Sequence, residues 1–234
     1  MKISKKKQKT IKKRILDSAV ELISSKGYKK ASMSKIAKKA EISEATIYNY
    51  FPTKEHILYE YYYQLQVQTK QILLETSEFN EFSLKEQLEF LIHTQLELLK
   101  KDRNFIVDVY KELYFKTYNK SLLEKGHNEL SVMIEELLDI SVEAKEIEEF
   151  PYKESIVHLL CDYIYGVIYY WIYDDSENFE NTLVMTDKSL DVIYAVFQSG
   201  LISKVEQLLS FVIKTHLLNH IKPSKKFKKR VFGS

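Results

Sequence analysis

Residues 41–55 read EISEATIYNYFPTKE. Three aromatics, Tyr48, Tyr50 and Phe51, crowd a segment that Pro52 ends at once. A core helix would be longer, with its apolar residues three and four apart. An exposed loop would carry more Gly, Asn and Ser. The pattern fits a short helix begun by Ser43, whose hydroxyl can accept from free first-turn amides. It must stop before Pro52, because the residue ahead of a proline resists the helical region.

The flanks give this short helix its company. Residues 10–26 place Ile11, Ile15, Ala19, Leu22 and Ile23 on one face of a helix, and Gly27 follows where a C-cap with positive φ is expected. Ser32 can cap a second helix with Met33, Ile36, Ala37 and Ala40 inward. Thr53 can cap a long helix carrying Ile57, Leu58, Tyr61, Leu65 and Ile72 as far as Thr76. Two short helices about three residues apart, the second compact and exposed, describe a helix-turn-helix. The second helix of such a unit enters the major groove of DNA. Ile42, Ile47 and Phe51 then pack inward. Glu44, Ala45, Thr46, Tyr48, Asn49 and Tyr50 stay on the outer and flanking faces. Thr and Tyr hydroxyls suit phosphate oxygens and Asn suits an adenine edge. Tyr48 could equally be a packed aromatic.

Charge divides the chain in the same place. Residues 1–54 carry a net charge of +11, residues 55–221 a net −15, and residues 222–234 six basic side chains with no acidic one. The first part suits a polyanion and the second does not. The run KISKKKQKTIKKR at residues 2–14 is expected to be a flexible arm, either touching DNA or merely solvated. The tail from Lys222, with Phe227 and Phe232 interleaved, has the same two readings.

Helical periodicity continues through Leu84–Leu99, Phe105–Tyr114, Leu122–Leu138, Tyr152–Tyr173 and Leu190–Phe197, then from Ile202 through Leu217. No alternating strand pattern and no internal repeat is visible. The fold class is all-α: an N-terminal three-helix helix-turn-helix domain (1–53), an α-helical ligand-binding and dimerisation domain (54–221) and a basic tail (222–234). A single cysteine, Cys161, excludes an intramolecular disulfide framework and fits a reducing cytoplasm. It reads as a small buried residue. The stretch SIVHLLCDYIYGVIYYWIY at 155–173 contains His158 and Asp162, which favours a buried helix over a membrane span.

The segment ILDSAVELISSKGYKKASMSKIAKKAEISEATIYNYFPTKEHIL at 15–58 resembles the DNA-binding domain of the TetR (tetracycline-repressor-type) transcriptional regulators. Matching positions are Gly27, Ser32, Ile36, Ala37, Ala40, Ile42, Ser43, Thr46, Ile47, Tyr48, Tyr50, Phe51, Lys54 and Glu55. Glu41 departs from the glycine preferred in the turn, at a cost of about 1–2 kcal/mol if φ is positive there. Glu44 and Ala45 also depart from the pair usual at the start of the reading helix. The resemblance implies phosphate contacts by Ser32, Thr46, Tyr48, Tyr50 and Lys54, and groove reading by Glu44, Ala45 and Asn49. It further implies a cytoplasmic homodimeric repressor on a pseudo-palindromic operator in double-stranded DNA. A dimer also follows from geometry, since one such unit reads too few base pairs and two must sit about 34–36 Å apart.

The dimer interface is expected from residues 152–173 and 186–199, and the effector is expected to be small and largely apolar. Phe105, Tyr110, Tyr114, Phe115, Tyr118, Tyr165, Tyr169 and Trp171 are the candidate pocket residues, because aromatic walls with a few hydroxyls suit such a ligand. The bland reading is plain core. No cofactor, no metal and no membrane partner is expected. His216 and His220 share a face without a third ligand, and no nucleophile elbow, phosphate loop or HExxH pattern occurs. Two rivals remain: a ligand-independent architectural DNA binder of the same fold, and an enzyme with a DNA-binding head.

Overall fold

The computed structural model describes residues 4–113 and 120–212. Within them lie ten α-helices and no strand. Tyr114, Phe115, Tyr118, His216, His220 and the basic tail fall outside the described residues.

The first three helices form a compact head. Helix α1 (Lys5–Lys26) starts earlier than its apolar stripe suggests, because Ser4 accepts from the Lys7 amide and opens the helix there. The basic run is therefore helical from Lys5 rather than a flexible arm, and lysine and glutamine favour that state. Gly27 closes α1 with φ 82, a value that favours glycine. Helix α2 (Met33–Lys39) is capped by Ser32 and α3 (Glu44–Tyr50) by Ser43. Between α2 and α3 the chain turns at Glu41 with φ 54, so the glutamate does occupy the positive-φ position. Phe51 is extended before Pro52, as the proline demands. Ile15, Ala19, Ile23, Ile36, Ala37, Ile47 and Phe51 fill the head's core.

The long helix α4 (Lys54–Glu75) leads from the head into the body. Thr53 stands at its start but makes no side-chain bond to the backbone; its hydroxyl instead meets His56 Nδ1 at 3.0 Å. Helix α5 (Leu84–Lys100) opens with a capping box between Ser83 and Glu86, which satisfies two free amides at once. Helices α6 (Arg103–Leu113), α7 (Lys120–Glu143), α8 (Lys153–Ile172), α9 (Glu180–Gln198) and α10 (Leu201–Val212) follow.

Helix α7 packs along α4, and α8 packs against α6, α7 and α9. Among the described residues α8 alone is long and apolar enough to cross a membrane. Here its Val157, Leu160, Ile164, Val167, Ile168 and Trp171 are buried in the body's core. Cys161 is buried too, and burial pushes its thiol up.

Candidate nucleic-acid interface and effector cavity

The head presents α3 outward. Glu44, Ala45, Tyr48 and Asn49 are exposed and Thr46 and Tyr50 half-buried, while Ile47 beneath them has no exposure. The seven residues of α3 make about two turns, a length that lies along a groove floor. Three of the candidate contact residues also work within the head. The Ser32 hydroxyl accepts from Lys35 N and the Glu44 carboxylate accepts from the Ser34 hydroxyl. The Thr46 hydroxyl meets Ser43 Oγ at 2.7 Å. Around α3 the exposed lysines Lys30, Lys35, Lys38 and Lys39 supply positive charge.

Lys54 has a different setting from the one its position in the motif implies. Its ammonium donates to the carbonyls of Tyr28 and Ala31, the latter at 3.0 Å, and lies 3.7 Å above the Tyr28 ring. The Tyr28 hydroxyl in turn donates to Glu55 at 2.7 Å. Lys54 thus ties the first turn of α4 to the loop between α1 and α2.

In the body the aromatic candidates do not form one wall. Tyr165 on α8 lies inside, where its hydroxyl meets that of Tyr62 on α4 at 2.6 Å and His127 Nδ1 on α7 at 3.0 Å. Tyr110 on α6 donates to the Tyr165 carbonyl at 3.4 Å. Burial, then the Tyr165 hydroxyl beside it, pushes the Tyr62 phenol well up, so Tyr62 keeps a proton and can donate or accept. His127 Nε2 continues the chain to His158 Nδ1 at 3.0 Å, with the two rings parallel. Gly126 makes room for Tyr62, because a Cβ there would lie 2.2 Å from Tyr62 Cδ1.

The other candidates go elsewhere. Phe105 packs on Tyr61 at 4.8 Å. Tyr169 reaches Tyr110 at 6.0 Å but also walls an open hollow of about 430 Å³ with Tyr170, Tyr173, Asp174, Asp175 and Asn181. Trp171 is buried beside Phe179 and the Arg103 guanidinium, which donates to the carbonyls of Ile172 and Asp174 at the end of α8. It is not part of the Tyr165 group. Sequence reasoning missed Tyr62 and His127. The signal available was the pairing of a polar aromatic and a histidine with glycine inside helices otherwise read as core.

Among the described residues no group of three or more His, Cys, Asp or Glu is placed to hold a metal ion. The Tyr62–Tyr165–His127 cluster can offer hydrogen bonds to a polar group on a ligand.

A basic head with an exposed two-turn helix, joined by one continuous helix to an acidic helical body with polar groups inside, defines a helix-turn-helix transcriptional regulator. Residues 15–61 match the model for bacterial regulatory proteins of the tetR family, and residues 87–212 match that for the tetracyclin repressor-like C-terminal domain. The chain is 31% identical over 180 residues to the fatty acid metabolism regulator protein of Bacillus subtilis, covering 76% of this chain and 86% of that one. Its fold resembles that of the B. subtilis regulator FadR in complex with stearoyl-CoA, with a TM-score of 0.57 at 24% identity over 80% and 97% of the two chains. It also resembles FadR of Thermus thermophilus in complex with lauroyl-CoA, with a TM-score of 0.57 at 22% identity over 76% and 92%.

The chain belongs to the TetR family of transcriptional regulators. It is a DNA-binding transcriptional regulator.

Proposed function

We propose that this regulator is a homodimeric repressor, released from its operator by a long-chain fatty acyl-CoA. The reading is carried by the likeness to a fatty acid metabolism regulator over 86% of that protein's length. Two proteins of the same fold hold stearoyl-CoA and lauroyl-CoA. The body offers such a molecule the Tyr62–Tyr165–His127 cluster for its polar end, set in a core of aromatic and aliphatic side chains. Helix α4 supports a route for the signal. Lys54 in its first turn grips the head, and Tyr62 lies about 12 Å further along the same helix inside the body. An effector that prefers one position of Tyr62 therefore biases the head.

On the DNA side, Ser32, Thr46, Tyr48 and Tyr50 contact phosphates, and Glu44, Ala45 and Asn49 face the groove. The head spans residues 1–53 and the body 54–221. Chemistry is not part of the role, and the protein works in the cytoplasm.

The dimer forms through α8 and α9. Eleven of the fifteen exposed large apolar side chains among the described residues lie on α8, α9, α10 or the residues flanking them, which points to a covered face there. Gly166 on the outer face of α8 is open, since a Cβ there would meet nothing within 4 Å, which leaves space for close approach of a partner helix.

The test begins with an operator selected from a random duplex pool by the full-length protein. Fluorescence anisotropy on that operator is then followed with stearoyl-CoA, lauroyl-CoA and free CoA. Release by the long-chain thioesters but not by free CoA is expected. Indifference to both thioesters would sink the reading.

A further inference from the structure

Two glutamines meet in the middle of the body with half their hydrogen-bonding capacity unused. Gln66 on α4 and Gln95 on α5 are both fully buried, and Gln95 Nε2 donates to Gln66 Oε1 at 2.9 Å. Gln66 Nε2 and Gln95 Oε1 have no partner among the described residues. Turning both amides over exchanges the two roles but leaves the same kind of remainder: one amide NH2 group and one carbonyl acceptor, unmatched. A half-satisfied buried pair is worse for stability than an apolar pair of the same volume. Packing alone therefore gives no reason for two glutamines here.

Their place in the body does. Gln66 stands one turn beyond Tyr62 on α4, about 6 Å along the axis. From the Tyr62 hydroxyl a hydrogen-bonded chain runs through Tyr165 and His127 to His158, which is exposed. A chain of polar groups thus runs from the surface to Tyr62, and the glutamine pair lies one helical turn beyond it on α4, buried within the body's apolar core.

We propose that Gln66 and Gln95 seat the polar arm of the effector, Gln66 donating to a carbonyl and Gln95 accepting an N–H from the same molecule. The proposal rests on the acyl-CoA reading above and narrows it. Beside a CoA thioester the pantetheine arm carries secondary amides, which supply both a carbonyl and an N–H. A free fatty acid carboxylate offers acceptors only and leaves Gln95 unmatched. A plain hydrocarbon serves neither group. The recognised unit is the acyl-pantetheine portion rather than the nucleotide.

The experiment uses the full-length protein on its selected operator, with stearoyl-CoA, stearoyl-pantetheine and stearate as probes. Wild type is expected to be released by both thioesters and not by stearate. The double variant Gln66→Met/Gln95→Met keeps side-chain volume close to that of the glutamines. It should melt no lower than wild type and bind operator equally well. It should need about tenfold or more of either thioester for half release. Gln95→Met alone should show the same direction with a smaller shift, which keeps the test open if the double variant folds poorly. Variants that respond like wild type overturn the seat while leaving the effector class standing. A wild type released by stearoyl-CoA but not by stearoyl-pantetheine also overturns it. A wild type indifferent to both thioesters overturns the effector class, and the seat with it.

Discussion

The backbone N–H of Tyr28 donates to the Asp108 carboxylate at 3.2 Å, joining the α1–α2 loop of the head to α6 of the body across eighty residues of sequence. Two residues further along α6, Tyr110 donates to the Tyr165 carbonyl in the interior. One short helix therefore touches both the reading head and the effector cluster. Replacing Asp108 by Ala removes a charge-assisted bond of about 1.5–3 kcal/mol and loosens that link. Effector affinity for DNA-free protein should stay within about twofold, while the effector concentration for operator release changes several-fold. Paired titrations by intrinsic fluorescence and operator anisotropy check this. Unchanged release would show that α6 does not couple the two.

Lys54→Met keeps an unbranched side chain but takes the ammonium from the Tyr28 ring and leaves the Tyr28 and Ala31 carbonyls without their cation. The head should lose about 1–3 kcal/mol, and operator affinity should fall on all sequences alike. Thermal unfolding measured alongside binding separates this from a phosphate contact. A lysine that only touched phosphate would lose affinity, lower the salt slope by about one and leave the melting point unmoved.

Glu41 occupies φ 54 in the turn of the helix-turn-helix. Glu41→Gly relieves a penalty of about 1 kcal/mol, partly offset by the greater freedom of glycine in the unfolded chain. A modest rise in the denaturant midpoint with no change in slope is expected. A fall would mean that the glutamate side chain stabilises the turn by more than its backbone costs.

On the DNA face, Asn49→Ala should relax preference at one base pair by about 1–3 kcal/mol. Tyr48→Phe should weaken binding uniformly instead. Selection from a random pool with each variant distinguishes the two. A uniform loss for Asn49→Ala would remove it from the reading residues.

Asp174 links the end of α8 to the start of α9. Burial opposes its charge, but bonds from Ser176 and Thr182, both hydroxyls and both amides, outweigh it and hold the carboxyl at about 2, below its ordinary 3.8. A depressed folded-state value contributes stability above the unfolded value, and that stability is lost as pH falls through the folded one. Wild type should lose part of its stability between about pH 4 and pH 2. Asp174→Asn should show a flatter dependence in that window by urea unfolding. Parallel curves would mean that the four bonds do not favour the charged form in solution.

The head was legible because its signals are local. Ser32, Ser43, Gly27 and Pro52 each act on neighbours within a turn, and the apolar spacing of α1 to α3 follows from helical period alone. Lys54 was not legible in the same way, because its partners Tyr28 and Ala31 come near only after three helices have packed. The aromatics of the body share a helical spacing in sequence but part into separate groups in the fold. From Tyr165 to Trp171 is six residues, about 240° around a helix, so one faces the effector cluster and the other the Arg103 guanidinium. Gln66 and Gln95 gave no sign in the sequence, since each sits on a core face where a single glutamine reads as a rim residue. Only their meeting across α4 and α5 leaves two atoms unmatched.

The fit of Tyr62 against Gly126 ties two distant positions into a single heritable choice. Any side chain at 126 evicts the phenol, and a smaller residue at 62 opens a void beside the glycine. A lineage shifting its preference among effectors must therefore change both positions together, or leave both alone and retune the surrounding residues instead.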